Sequence, residues 1–138
     1  MRTLLFAWLF LMLVDAVSGQ CLSHQQSLLL KLKDTLIFNA SSSGILAMWN
    51  RSSDCCTWKG VTCEEGRVTG LILSNESITG GIDNPSSLFR LQYLKSLDLS
   101  SNNINSKIPS RIRKLQSLSF LNFSNAGFVG QIPKGYLC

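Results

Sequence analysis

The sequence predicts an α/β solenoid: a helical, disulfide-stapled N-terminal cap followed by repeat coils that share a short parallel β-sheet. Three observations carry that prediction. An apolar motif recurs at a near-constant interval through the second half of the chain. Its centre is an alternating L-x-L, the period of a strand. Ahead of it, four cysteines bracket a stretch of helical periodicity. The expected organisation is a signal segment at 1–19, a cap at 20–66 and about two and a half coils at 67–138.

The first element is an export signal. Arg2 lies near the start, Leu4 to Val14 is a nearly unbroken apolar run, and Val17-Ser18-Gly19 offers small residues for cleavage before Gln20. A membrane span needs roughly 20 apolar residues, and this run is shorter and is interrupted by Asp15. No second long apolar run follows residue 20, so any membrane attachment is expected only through a part beyond this chain. The net charge of +5 survives cleavage, because Arg2 and Asp15 leave together. It favours solubility and approach to acidic surfaces such as cell-wall pectin. Export argues against a nucleic-acid partner. The one basic cluster, Lys107, Arg111, Arg113 and Lys114, reads as a solvated outer face ahead of a polyanion site.

The cysteines are Cys21, Cys55, Cys56, Cys63 and Cys138. In an oxidising compartment they read as disulfides. A bond between neighbours Cys55 and Cys56 would close a strained ring. Two pairings of the first four remain: Cys21–Cys55 with Cys56–Cys63, or Cys21–Cys56 with Cys55–Cys63. Each bond would contribute on the order of 2–4 kcal/mol. Zinc is the weaker reading, because the C-C-x6-C spacing is wrong and His24 is the single histidine. Cys138 is left without an evident partner, which points to a missing partner or a truncated chain.

Residues 21–38 read as a helix. Ser23 and Gln26 have capping-box spacing, and Leu28, Leu29, Leu32, Leu36 and Ile37 share one face. Asn39 to Gly44 is a Ser-rich break, and Ile45 to Trp49 forms one or two further helical turns.

From Arg67 onward the repeats begin. Leu97-x-Leu99 recurs as Leu121-x-Phe123 and Ile108-Pro109 as Ile132-Pro133, both after 24 residues. Leu71-x-Leu73 precedes Leu97-x-Leu99 by 26. Leu94-x-x-Leu97-x-Leu99-x-x-Asn102-x-Ile104 fits the leucine-rich-repeat core at every position. The other two copies carry Glu76 and Ala126 at the asparagine position. An asparagine side chain there bonds turn backbone, so the turns at Glu76 and Ala126 are expected to be looser.

Cys21 before the Leu-rich helix, Leu46-x-x-Trp49-Asn50 and Asp54-Cys55-Cys56-x-Trp58-x-Gly60-Val61-Thr62-Cys63 resemble the N-terminal cap of plant extracellular leucine-rich-repeat proteins. Phe128-x-Gly130-x-Ile132-Pro133 resembles the plant form of the repeat. Ser87-Leu88-Phe89-x-Leu91-Gln92-Tyr93-Leu94 and Asn125-Ala126-Gly127-Phe128 are most similar to verticillium-wilt-type disease-resistance receptor-like proteins. The resemblance implies the pairing Cys21–Cys55 with Cys56–Cys63. It implies a protein-interaction module in pathogen recognition and defence signalling, secreted to the apoplast or held at the plasma membrane. Its ligand would be a protein or peptide, such as a pathogen effector, and it would signal through a partner receptor-like kinase. The chain itself reads as a truncated fragment of such a receptor. The alternative function is a small secreted inhibitor of fungal cell-wall-degrading enzymes such as polygalacturonase, which share the cap.

No catalytic constellation is evident: His24 stands apart, and Glu64 and Glu65 read as solvated. No cofactor is expected. The candidate binding residues lie on the outward, concave side of the strands: Lys95 and Asp98, then Phe120 and Asn122, with Thr69, Gly70, Ile72, Ser74 and Ser100 around them. Four N-x-S/T sequons, at Asn39, Asn50, Asn75 and Asn122, are candidate N-glycan sites. Glycans at Asn75 and Asn122 are expected to crowd the concave face. Trp49 and Trp58 read as cap core ahead of a sugar platform.

Overall fold

A computed structural model of the chain describes residues 19–83 and 85–130. The signal segment up to Ser18, the Ile132-Pro133 repeat and Cys138 lie outside the described residues.

Helix α1 runs Ser23–Thr35. Leu29, Leu32 and Leu36 form its buried face, together with Gln25. The capping box does not form: the N-cap is Leu22, with no side-chain cap bond. Both glutamines reach across the cap instead. Gln26 Oε1 accepts from the Cys55 amide at 2.8 Å, and Gln25 Oε1 accepts from the Val68 amide at 2.9 Å. These bonds satisfy backbone donors that burial would otherwise strand.

The helix also ends sooner than its apolar spacing predicts. Ile37–Phe38 is strand β1, antiparallel to a later strand, and Ile37 is exposed. The first coil crosses the helix end so closely that a Cβ on Gly81, at φ 89°, would overlap the Thr35 carbonyl. A further helical turn is exchanged for that crossing.

Short 3-10 helices follow at Leu46–Met48 and Cys55–Thr57. Trp49 and Trp58 stack with ring centroids 5.3 Å apart, both buried. Their indole N–H groups donate to the Lys59 carbonyl and Ser53 Oγ. A buried, hydrogen-bonded indole pair is core, not an open platform for a sugar. The disulfides are Cys21–Cys55 and Cys56–Cys63. The sulfurs of Cys21, Cys55 and Cys56 lie close together, and all three are held in these bonds.

Strand β2 (Val61–Glu64) pairs antiparallel with β3 (Arg67–Ile72). Strand β4 (Ile78–Gly80) is the partner of β1. Strands β5 (Ser96–Asp98) and β6 (Phe120–Asn122) continue the main sheet in parallel, giving the order β2-β3-β5-β6. Leu71, Leu97 and Leu121 fall in one register across the three coils and point inward, with Leu73 and Leu99 buried behind them. The L-x-L motif is thus the seam of a shared core. On the far side of each later coil lies a 3-10 helix, Ser87–Arg90 and Ser110–Lys114, anchored by Leu88, Leu91, Ile112 and Leu115. Among the described residues no helix is long and apolar enough to cross a membrane.

After its strand each coil turns through a left-handed residue: Asn75, Ser101 and Asn125, with φ of 54–56°. The next residue is the asparagine position. Asn102 makes the expected bonds and more. Its Nδ2 donates to the carbonyls of Leu73, Leu99 and Ser100, and its Oδ1 accepts from the amides of Glu76 and Ile78 in the preceding coil.

The turn at Glu76 is not loose. Glu76 is buried, and its carboxylate accepts from Ser43 Oγ and the amides of Gly44, Ile45 and Leu46, at 2.6–3.1 Å. The longer acid reaches the cap loop, a partner some 30 residues upstream that the local pattern does not show. Ala126 contributes only backbone: its amide donates to Phe123 and its carbonyl accepts from Ile104.

Candidate functional site

The outward face of the main sheet is built by alternation. With Leu71, Leu97 and Leu121 facing in, their neighbours face out. The register sets Thr62, Gly70, Ser96 and Phe120 in one row and Ile72, Asp98 and Asn122 in the next. Gly70 is confined: a Cβ there would lie 3.0 Å from both Ser96 Oγ and Thr62 Cβ. The face is therefore low and polar at its centre, with apolar side chains at two places. Phe120 is 55% exposed and Ile72 47% exposed.

Three of the four candidate binding residues, Asp98, Phe120 and Asn122, share this face, while Lys95 lies at the sheet edge beside it. Lys95 Nζ donates to Glu64 Oε2 at 2.8 Å, so its charge is turned toward the β2 edge. Asp98 Oδ1 accepts from the Ser100 amide and hydroxyl, and Asn122 Oδ1 accepts from those of Ser124 in the same way. Asp98 and Asn122 are thus fixed neighbours across the ladder. Phe120 has no such tie and is the projecting group. Thr69, Gly70 and Ser100, expected on the open face, are buried. Thr69 is in phase with Leu71 and so faces in, and strand β2 covers the sheet edge beside Gly70. The strand lies inside the cysteine motif, with Val61 as its single aliphatic residue to mark it.

Beside the sheet edge, Glu64, Glu65, Arg67, Tyr93 and Lys95 surround a cavity of about 280 Å³. The Arg67 guanidinium sits 4.6 Å from the Tyr93 ring centroid and 3.9 Å from Glu65. The paired acids are engaged with cations in solvent. His24 contacts only Gln25 among its hydrogen-bond partners. No nucleophile, base and orienting acid converge among the described residues.

A larger groove, about 730 Å³, lies past the strand ends rather than on the sheet face. Ile37, Phe38 and Asn39 form one wall, and Asn75, Ser101 and Asn125 step along the other. Two sequons therefore border one groove, and a glycan on Asn75 would lie there, away from the concave face. Asn122 is the sequon that does stand on the sheet face. Asn39 and Asn50 are exposed in the cap, each with Oδ1 accepting from the serine two residues on.

Residues 22–64 match the family model described as the leucine rich repeat N-terminal domain, and residues 93–115 match that of the leucine rich repeat. Receptor-like protein 6 of Arabidopsis thaliana is 42% identical over 102 residues, covering 72% of this chain and 10% of that protein. Receptor-like protein 7 of the same plant is 40% identical over 123 residues, covering 87% of this chain and 12% of that protein. The chain thus spans about a tenth of the length of these relatives. Among solved structures, the Arabidopsis receptor kinase HAESA, in complex with the peptide hormone IDA and the co-receptor SERK1, aligns with a TM-score of 0.69 at 30% identity. That alignment covers 82% of this chain and 19% of the kinase chain.

Proposed function

Since this chain belongs to the plant leucine-rich-repeat receptor-like proteins, we propose that it is an extracellular protein-interaction module serving pathogen recognition and defence signalling. It binds and does not catalyse. The observation that carries this reading is the outward sheet face, where Phe120 projects beside the fixed Asp98–Asn122 pair. A projecting aromatic among small polar groups is the composition of an interface anchor. A peptide or protein ligand is supported by the HAESA complex, whose solved form holds a peptide hormone and a co-receptor. By the same analogy its signalling partner is a receptor-like kinase.

The cap provides the rigid, glycan-bearing start of the array, with Cys21–Cys55 and Cys56–Cys63 as its staples and Asn39 and Asn50 as its outward sequons. The coils provide the recognition face.

The test uses the secreted chain immobilised through its C-terminus. Ectodomains of co-receptor kinases and candidate effector peptides are passed over it, with polygalacturonase in a parallel inhibition assay. Saturable binding that F120S weakens by about 2 kcal/mol supports the reading. Binding indifferent to F120S moves recognition off this face. Inhibition of polygalacturonase without kinase or peptide binding replaces the reading with an inhibitor.

A further inference from the structure

The groove past the strand ends is built from two parts of the molecule. Ile37 and Phe38 of β1, with Ser42, belong to the cap; Asn75, Ser101 and Asn125 belong to the turns of three successive coils. The sheet pairing that joins cap and first coil here is β1 with β4, two residue pairs with a break in register between them. The Ser42 and Ser77 hydroxyls add one bond at 2.9 Å. The groove's 730 Å³ is the size of a small-ligand site, about 300–1,000 Å³.

Its lining has the chemistry of a neutral sugar site. Among the described residues that line it none is charged, so an ionic ligand would lose its hydration there without gaining a partner. Ser101, Asn103 and Asn125 are exposed, and no hydrogen bond ties their side chains among the described residues. One hydroxyl and two amides therefore stand open as donors and acceptors. On the other wall Ile37 is 61% exposed. N-acetylglucosamine, with hydroxyls at its edge, an apolar C–H face and an acetamido methyl, matches both walls at once.

Such a sugar has a point of attachment at the groove itself. Asn75 is a sequon asparagine and lines it. Asn39, Asn50 and Asn122 each hold the serine two residues on through Oδ1. Asn75 has no such tie, because its serine, Ser77, is bonded to Ser42. Its amide can turn the first sugar into the groove. Tethering then decides occupancy, because a short link holds a ligand at an effective concentration on the order of 10 mM. A groove with a dissociation constant of about 1 mM for the free sugar is filled about nine parts in ten by a tethered copy.

We propose that the N-glycan of Asn75 seats its first two sugars in this groove and bridges the cap to the coils. Attachment of the glycan rests on the extracellular placement in the proposed function; the neutral groove beside Asn75 does not.

The test expresses the full chain in a secreting eukaryotic host that leaves N-glycans unfucosylated. A peptide N-glycanase releases the glycans from the folded protein, and mass spectrometry follows each site separately. The expected result is release at Asn75 about tenfold slower than at Asn50, with equal rates after unfolding. I37S, at an exposed side chain, brings the Asn75 rate to within about twofold of that at Asn50. Should I37S melt early, N103A is read in its place and speeds release at Asn75 by about threefold. Complete release lowers the melting temperature of the unmutated chain by about 4–8 °C and that of I37S by under about 2 °C. The enzyme leaves an aspartate at each site in both chains, so the difference between them reports the seat. Free N,N′-diacetylchitobiose binds the released chain at about 1 mM and the glycosylated chain about tenfold more weakly.

Four results overturn the proposal. Asn75 is bare while the other sequons carry glycan; Asn75 is released as fast as Asn50; neither I37S nor N103A moves its rate; or the free sugar binds the glycosylated and released chains alike, which gives the groove to an outside saccharide. A chain that stays inside the cell and carries glycan at no sequon overturns the extracellular reading and this one together, whereas those four leave that reading standing. F120S leaves the Asn75 rate unchanged, so the sheet-face reading and this one fail separately.

Discussion

The junction between cap and first coil and the junction between first and second coil occupy the same place in the repeat and are closed by different atoms. At the second, Asn102 reaches back one coil with a short amide that both donates and accepts. At the first there is no coil to reach. The residue in that place is Glu76, an acceptor only, and the cap loop at 43–46 presents it with four donors. The lesson is that the position specifies a backward contact, and the side chain follows from what stands behind it. At Ala126 backbone bonds alone close the turn.

The comparison can be broken first at the staples, since Glu76 depends on an ordered cap. C21S/C55S opens a link between residues 34 apart and is expected to lower stability by about 3–4 kcal/mol. C56S/C63S opens one of separation 7 and is expected to lower it by about 2 kcal/mol. Denaturant melts of the secreted variants measure both; equal losses would place the stabilisation in local packing rather than loop closure.

Next comes the acid itself. E76A strands buried amides and is expected to remove about 3 kcal/mol. E76N is the sharper probe, because it installs the residue that the repeat pattern prefers. Its shorter amide does not span to the cap loop, so its melt should fall within about 0.5 kcal/mol of that of E76A. A more stable E76N would end the claim that the cap dictates this residue.

N102A removes bonds within a junction that keeps its backbone pairing, and about 2 kcal/mol is expected by the same measurement. F120S is the smallest change to the fold, under about 0.5 kcal/mol, because the ring is exposed. Its effect belongs to binding, which separates the face that recognises from the junctions that hold.

The repeat core was legible because every inward leucine keeps one phase, and Leu71, Leu97 and Leu121 fall into register as that phase requires. The helix was legible in its buried stripe but not in its ends. Ser23 and Gln26 have the spacing of a cap, yet Gln26 is drawn to the Cys55 amide, 29 residues away. Ile37 continues the apolar spacing, yet the crossing at Gly81 turns it into a strand. Strand β2 was hidden inside the cysteine motif, where spacing is dominated by the disulfide. On the candidate face, the outward residues were legible by alternation. The capture of Lys95 by Glu64 was not, because it joins side chains 31 residues apart.

The backward grip also sets an order of assembly. Glu76 accepts from residues 43–46, and Asn102 accepts from the amides of Glu76 and Ile78, so each turn closes on chain that a ribosome has already made. A coil copied by gene duplication carries its handle with it and needs nothing downstream to grasp. A second copy of the cap, placed in mid-array, would present donors meant for a glutamate to an asparagine too short to meet them. Such arrays can lengthen freely in their interior while their beginning stays unique.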